Sequence, residues 1–106
     1  MIKKSLQCAS VCSFRTSVVA GPGGVPIPKS IEEAGCLVEN GQLSPEQLHE
    51  ACSRRIEATK SLNAFVTRTS DLSLRHAKSS QKRFSCAKRR LGPLDGIPVA
   101  VKDNFC

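Results

Sequence analysis

The chain has 106 residues, enough for one small domain, and carries a formal net charge of +7. With four phenylalanines, no tryptophan and no tyrosine, it is expected to build only a weak hydrophobic core by itself. Its six cysteines form no CxxC pair and it has no run of about 18 apolar residues, so we expect reduced thiols, no metal or other cofactor, and no membrane span.

Residues 1–29 have the composition of an organellar transit peptide. They contain four basic residues and no acid, with serines and threonines between short apolar stretches. A disordered tail is the main alternative. A secretory signal needs an unbroken apolar core of roughly 7–15 residues, which polar residues interrupt here. The segment predicts a location in the mitochondrial matrix, with a plastid as the alternative, and residues 21–28 are glycine- and proline-rich and predict a linker.

Two helices are predicted after this linker, each from its capping residues. Ser30 with Glu33 forms a capping-box pattern, and Asn40-Gly41 predicts the end of the first helix because both residues tolerate a left-handed turn. Ser44-Pro45 with Gln47 predicts a second helix that runs to about Lys60. His49 lies off the apolar stripe of this helix and is predicted to be exposed.

The rest of the chain alternates between predicted strands and a helix. The β-prone stretch 62–67 predicts a strand, 71–86 a third helix, 88–96 a loop rich in turn residues, and 97–101 a second strand. The near-continuous apolar run of the last strand is typical of a strand covered on both faces. The order predicts an α/β arrangement whose sheet is incomplete, because two strands cannot build a sheet covered on both faces.

The run GPLDGIPVAVKDN, from Gly92 to Asn104, is the most informative stretch of the sequence. Its VAVK portion is similar to the strand of protein kinases whose lysine pairs with nucleotide phosphates. That motif needs a glycine-rich hairpin shortly upstream, where this chain has a basic helix instead. The whole run resembles the first conserved block of the amidase signature family, and the order of the preceding elements is similar to the opening of that family from Ser30 onwards. The resemblance implies an α/β fold in which this chain supplies the N-terminal helices and the first strands of the family's mixed sheet, which is incomplete here.

This resemblance implies amide hydrolysis by a Ser–cis-Ser–Lys group, in which Lys102 would be the base. One serine attacks the amide carbonyl and forms an acyl-enzyme, and the second relays its proton. A lysine amine has a pKa of about 10.4 in water, and desolvation at the end of a buried strand would help it to act as a base. We carry over Lys102 alone, because the family's Gly/Ser-rich segment is expected downstream of this block and is not found among the 106 residues.

We therefore expect residues 30–106 to be the N-terminal fragment of an amidase domain that is inactive alone. Within the family, the transit-like segment and KDNF resemble the glutamine-hydrolysing amidotransferase subunits of organelles. Such a subunit releases ammonia from glutamine, and a partner subunit uses it to convert Glu-tRNA(Gln) to Gln-tRNA(Gln). Another amidase-family hydrolase is the alternative within the family.

A basic stretch leaves one further alternative open, a small RNA-binding protein. Between Arg68 and Arg90, eight lysines and arginines face a single acid, Asp71, and could attract phosphates. The ordinary interpretation is a solvated helix face, since charge runs mostly serve solubility. The stretch also lacks aromatic residues at a spacing that would stack bases, and His76 within it is predicted to be solvated.

Overall fold

The computed structural model describes residues 25, 27–87 and 89–105, and these residues form three α-helices and two short 3₁₀ turns. The helices are α1 (Ile31–Glu39), α2 (Pro45–Ala58) and α3 (Ser70–Ala87). The 3₁₀ turns span Lys60–Leu62 and Asp103–Phe105. The predicted transit peptide falls almost wholly on residues 1–24 and 26, outside the described part of the chain. None of the described helices is long and apolar enough to cross a lipid bilayer.

Helix α1 begins and ends at the residues that the sequence predicts. The Ser30 hydroxyl accepts a hydrogen bond from the Glu33 backbone N–H at 3.1 Å, and the Glu33 carboxylate accepts one from the backbone N–H of Lys29 at 2.7 Å. After Asn40 the chain turns at Gly41, whose φ of +71° is in the left-handed region that favours glycine. The N–H of Gly41 then donates to the Val38 carbonyl. The bonds of the Glu33 N–H and the Val38 carbonyl satisfy groups that the helix ends leave unpaired.

Helix α2 starts with a complete capping box. The Ser44 hydroxyl accepts from the Gln47 N–H at 3.1 Å, and the Gln47 side chain accepts from the Ser44 N–H at 2.9 Å. Pro45 occupies the first helical position, where its missing N–H costs nothing. The helix ends at Ala58, two residues before the predicted end, and the Thr59 hydroxyl donates to the Arg55 carbonyl.

The buried core is small and consists mostly of short side chains. Leu43, two residues before α2, and Leu48, in its first turn, pack with Ala34 of α1. Helix α3 packs against α2 and contributes the buried Ala77 and, less expectedly, the buried hydroxyl residue Ser80. Val25 and Ile97, from the two non-helical segments that flank the helices, pack against this core from outside. The core is thus as limited as the aromatic content predicts.

Both strand predictions are wrong for the described residues, which contain no β-strand, so the α/β assignment is not confirmed. The stretch 62–67 contains the end of a 3₁₀ turn, a left-handed Asn63 (φ +49°) and irregular chain. The stretch 97–101 is irregular, and Val99 and Val101 are exposed at 65% and 67%. A strand exists only through hydrogen bonds to a neighbouring strand, and no described segment supplies one here.

Replacing Ser44 by alanine should lower the free energy of unfolding by about 1 kcal/mol, because the first turn of α2 then loses the acceptor for the Gln47 N–H. Urea denaturation followed by circular dichroism measures the change. Ser79→Ala, at an exposed position within α3, is the matched control and should leave the stability equal or slightly higher. Equal losses in the two variants would show that the cap contributes nothing.

Candidate functional site

Asp95, in the loop between α3 and Lys102, connects that loop to α3 through a nearly buried carboxylate. Its Oδ1 accepts hydrogen bonds from the Ser80 hydroxyl at 2.8 Å and from Nη2 of Arg83 at 2.7 Å. Its Oδ2 accepts from the Leu91 backbone N–H at 2.9 Å. The Asp95 side chain is only 9% exposed. Its bonds to Ser80 and Arg83 are partly buried, whereas the bond from Leu91 is exposed. One carboxylate is thus hydrogen-bonded both to side chains of α3 and to the backbone at the start of the loop.

The surroundings of Asp95 favour its charged form. Burial by itself would raise the pKa of this carboxyl, but the hydrogen bonds from Leu91, Ser80 and Arg83, with the positive charge of Arg83, hold the pKa below its ordinary value. Hydrogen bonds to a charged group are stronger than those between neutral groups. The network therefore stabilises the fold while Asp95 is ionised.

Arg90 fixes the same loop to α1 from the other side. Its Nη1 lies 3.3 Å from a carboxylate oxygen of Glu39, and its Nη2 donates to the backbone carbonyls of Pro93 and, at 3.4 Å, Asp95. Its side chain is 12% exposed and lies against Gly35. A Cβ at Gly35 would be 2.5 Å from Nη1 of Arg90, so glycine in the middle of α1 makes room for this guanidinium.

Gly96 and Ile97 bring the end of the loop onto the helices. Gly96 has a φ of +80°, and a Cβ there would lie 2.9 Å from Cγ of Pro45 and 3.0 Å from Oγ of Ser80. The Ile97 N–H donates to the Leu94 carbonyl, and the Ile97 side chain packs against the core. The chain is therefore held in place up to residue 97, five positions before Lys102.

Lys102, the predicted catalytic base, is exposed in this structure. Its carbonyl accepts a hydrogen bond from the Phe105 N–H, where the chain turns into the last 3₁₀ segment. It lines an open hollow of about 910 Å³ with residues of α2 and the segments 64–70 and 98–103. Four of the residues that line this hollow are large, apolar and exposed: Phe65, Val66, Val99 and Val101. The shelter from water that the sequence predicts for the amine is not provided by the described residues.

Other ionisable residues add little chemistry to the hollow. His49 is half-buried, not exposed as predicted, while His76 is exposed as predicted. Cys52 and Cys86 are free thiols. Burial raises the pKa of the Cys52 thiol, an effect that the charge of Arg55 partly offsets, so this thiol stays protonated near neutral pH.

The sequence pattern alone does not connect Asp95 with Ser80, Arg83 and Arg90. It predicts residues 88–96 only as a loop rich in turn residues, and the two arginines only as part of a basic stretch. Two features of the sequence point to this network. One is an acid, Asp95, in a loop that follows a basic helix, and the other is a glycine, Gly35, inside a predicted helix. An isolated helical glycine often marks close packing of another group.

Comparison with known proteins finds similarity to one family. The family described as Amidase matches residues 47–106. The A subunit of mitochondrial glutamyl-tRNA(Gln) amidotransferase from Xenopus laevis is 45% identical over 76 residues, which are 72% of this chain and 14% of the relative. The corresponding proteins of Homo sapiens and Mus musculus are each 42% identical over 77 residues, 73% of this chain and 14% of theirs. No solved structure matches. The chain therefore spans about 14% of the length of these relatives.

Substituting alanine for Gly96 should destabilise the protein by about 1–2 kcal/mol, since a side chain there is strained at φ +80° and meets Pro45. Gly92→Ala is the control, because a Cβ at Gly92 meets nothing within 4 Å. Thermal melts of both variants give the comparison. If Gly92→Ala lowered the melting temperature as much as Gly96→Ala, the proposed packing at Gly96 would be contradicted.

The variant Asp95→Asn should be less stable than the wild type by about 1–3 kcal/mol at pH 7, because its amide cannot accept from Leu91 as the charged Oδ2 does. The folded-state pKa of Asp95 is depressed, so its stabilisation is fully present above about pH 4, the ordinary value, and is lost as pH falls through the folded pKa. The difference between the urea midpoints of the two proteins should therefore shrink below about pH 4.

Asp103→Asn, at an exposed carboxylate outside this network, is the control and should change the midpoint little. A gap between Asp95→Asn and wild type that stays constant from pH 7 to pH 3 would mean that the charge of Asp95 does not stabilise the fold.

Proposed function

The chain belongs to the amidase family, and we propose that it supplies the catalytic lysine, Lys102, of the glutamine-hydrolysing component of a mitochondrial amidotransferase. The observation that carries the proposal is the family match over residues 47–106, which includes the whole run from Gly92 to Asn104. Identity of 45% to a protein named as the A subunit of mitochondrial glutamyl-tRNA(Gln) amidotransferase narrows the choice within the family. The activity, substrate and partners belong to the proposal, because the chain spans only 14% of that relative.

In the proposed reaction Lys102 acts as the general base for an amide hydrolysis. A serine hydroxyl attacks the side-chain amide carbonyl of glutamine, and its proton passes through a second serine to the lysine amine. The protonated lysine returns a proton to the leaving nitrogen, so ammonia departs as the acyl-enzyme forms. Water then releases glutamate. No residue of the 106 is assigned as either serine, so on this proposal these residues alone do not hydrolyse glutamine.

Two features of the described residues support this role. The loop before Lys102 is held to α1 and α3 by Arg90 and Asp95, so the segment starts from a fixed position. The residues that alternate along it, Val99 and Val101, are apolar and exposed beside a large hollow. Polypeptide that covered these valines would also remove water from the end of the segment, and desolvation is what a lysine needs to act as a base near neutral pH.

The proposed physiological role is to supply ammonia in mitochondrial protein synthesis. The ammonia would pass to a partner subunit that converts Glu-tRNA(Gln) to Gln-tRNA(Gln) in the matrix. Mitochondrial placement rests on the relatives and on the predicted transit peptide, and a plastid is the alternative. A different amidase-family hydrolase remains the second candidate for the reaction, because the resemblance around Lys102 extends to the family as a whole.

Lys102→Ala should abolish glutaminase activity in a chimera that carries this chain's aligned segment in place of the matching 76 residues of the Xenopus laevis relative, co-expressed with that enzyme's partner subunits. Loss of the base should reduce kcat by at least about 100-fold with a smaller effect on KM. Ammonia release from glutamine measures the rate. Asparagine and a fatty-acid amide, assayed in parallel, test the alternative hydrolases.

Lys60→Ala is the matched control, since Lys60 is an exposed lysine outside the run from Gly92 to Asn104 and should leave the rate unchanged. Glutaminase activity that persists in the Lys102→Ala chimera would contradict the assigned role. If the chimera were active but preferred the fatty-acid amide to glutamine, the amidotransferase assignment would be contradicted. Membership of the amidase family would still hold.

A further inference from the structure

Helix α3 presents a row of basic side chains on the side away from the core. Arg75, Lys78 and Lys82 are exposed and spaced at i, i+3 and i+7, which places them on one helix face. The buried residues of α3, Ala77 and Ser80, lie on the opposite side and pack towards α2 and the loop. We call Arg75, Lys78 and Lys82 the basic stripe. It extends over about 10 Å of helix, from a rise of about 1.5 Å per residue.

The structure separates this stripe from three arginines of the basic stretch that form ion pairs. Arg68, Arg83 and Arg90 each bind a carboxylate, of Glu57, Asp95 and Glu39 respectively. None of the ion pairs found among the described residues includes a member of the stripe. Structural roles thus account for the three arginines, whereas the stripe leaves three neighbouring positive charges facing solvent.

We propose that the basic stripe binds the phosphate backbone of RNA. Three cations on one rigid helix face, with Asp71 the only acid of α3, complement a polyanion. Ser79 lies on the same face between them and can donate a further hydrogen bond to a phosphate oxygen. Contacts of this kind fix a protein on RNA without reading its sequence.

The composition of the basic stripe favours contact with the phosphate backbone of RNA over base stacking or membrane binding. No Phe, Tyr or Trp lies on the stripe to stack against a base, since Phe84 of α3 is half-buried and on another side of the helix. Helices that bind membrane surfaces insert an apolar face. The apolar side of α3 is instead directed at α2, where Ala77 is buried. The inference rests on charge and geometry alone and does not depend on the assignment of Lys102.

Filter binding of unfractionated tRNA to the full 106-residue chain, between 50 and 200 mM salt, tests the proposal. The triple variant Arg75→Gln, Lys78→Gln, Lys82→Gln should bind at least about tenfold more weakly, and its plot of log K against log salt should be shallower by about 2–3. A second variant, Arg75→Lys, Lys78→Arg, Lys82→Arg, keeps the charges and should bind like the wild type. Circular dichroism of each variant checks that the helices remain.

The matched control carries the same loss of three charges elsewhere, through Lys29→Gln, Arg54→Gln and Lys60→Gln, and should bind nearly as well as the wild type. Equal weakening in the two triple variants would show attraction by net charge alone and would overturn the proposal. Failure of the wild type to bind tRNA would also overturn it, as would binding to anionic phospholipid vesicles without binding to tRNA.

Discussion

The arrangement of this chain depends on one carboxylate that is nearly out of water. Asp95 accepts hydrogen bonds from the Ser80 hydroxyl, the Arg83 guanidinium and the Leu91 N–H, and so joins the third helix to the loop that follows it. Apolar contact with the small core holds Ile97 at the end of this loop. Charge-assisted hydrogen bonds of Asp95 add restraint nearer the start of the loop, because such bonds are stronger in a partly buried site than in water.

The restraint matters because the loop leads directly to Lys102. Arg90 and Gly96 fix the loop at two further points, and Ile97 closes it against the core. Beyond Ile97 the chain is exposed and its apolar residues have no cover among the described residues. The segment therefore has a fixed start and an exposed end. On the proposed function, Lys102 would act as a base only where other polypeptide shelters its amine from water.

The sequence predicted the parts of the fold that depend on neighbouring residues. Ser30 and Ser44 mark helix starts through contacts three residues away, and Gly41 marks a helix end through its own φ. The strands failed because their hydrogen bonds need a second segment that the described chain does not supply. The Asp95 network was missed for a related reason, since Ser80 and Asp95 are fifteen positions apart and their contact exists only after the helix and loop fold together.

The central claim is that Asp95 holds the loop in place before Lys102, and amide hydrogen exchange at Leu91 tests it most directly. The Leu91 N–H donates to the Asp95 carboxylate, whereas no acceptor is found among the described residues for the N–H of Leu94 in the same loop. The account predicts that Leu91 exchanges at least about tenfold more slowly than Leu94, after correction for intrinsic rates, and that Asp95→Asn removes the difference. Equal exchange at Leu91 and Leu94 in the wild type would contradict it.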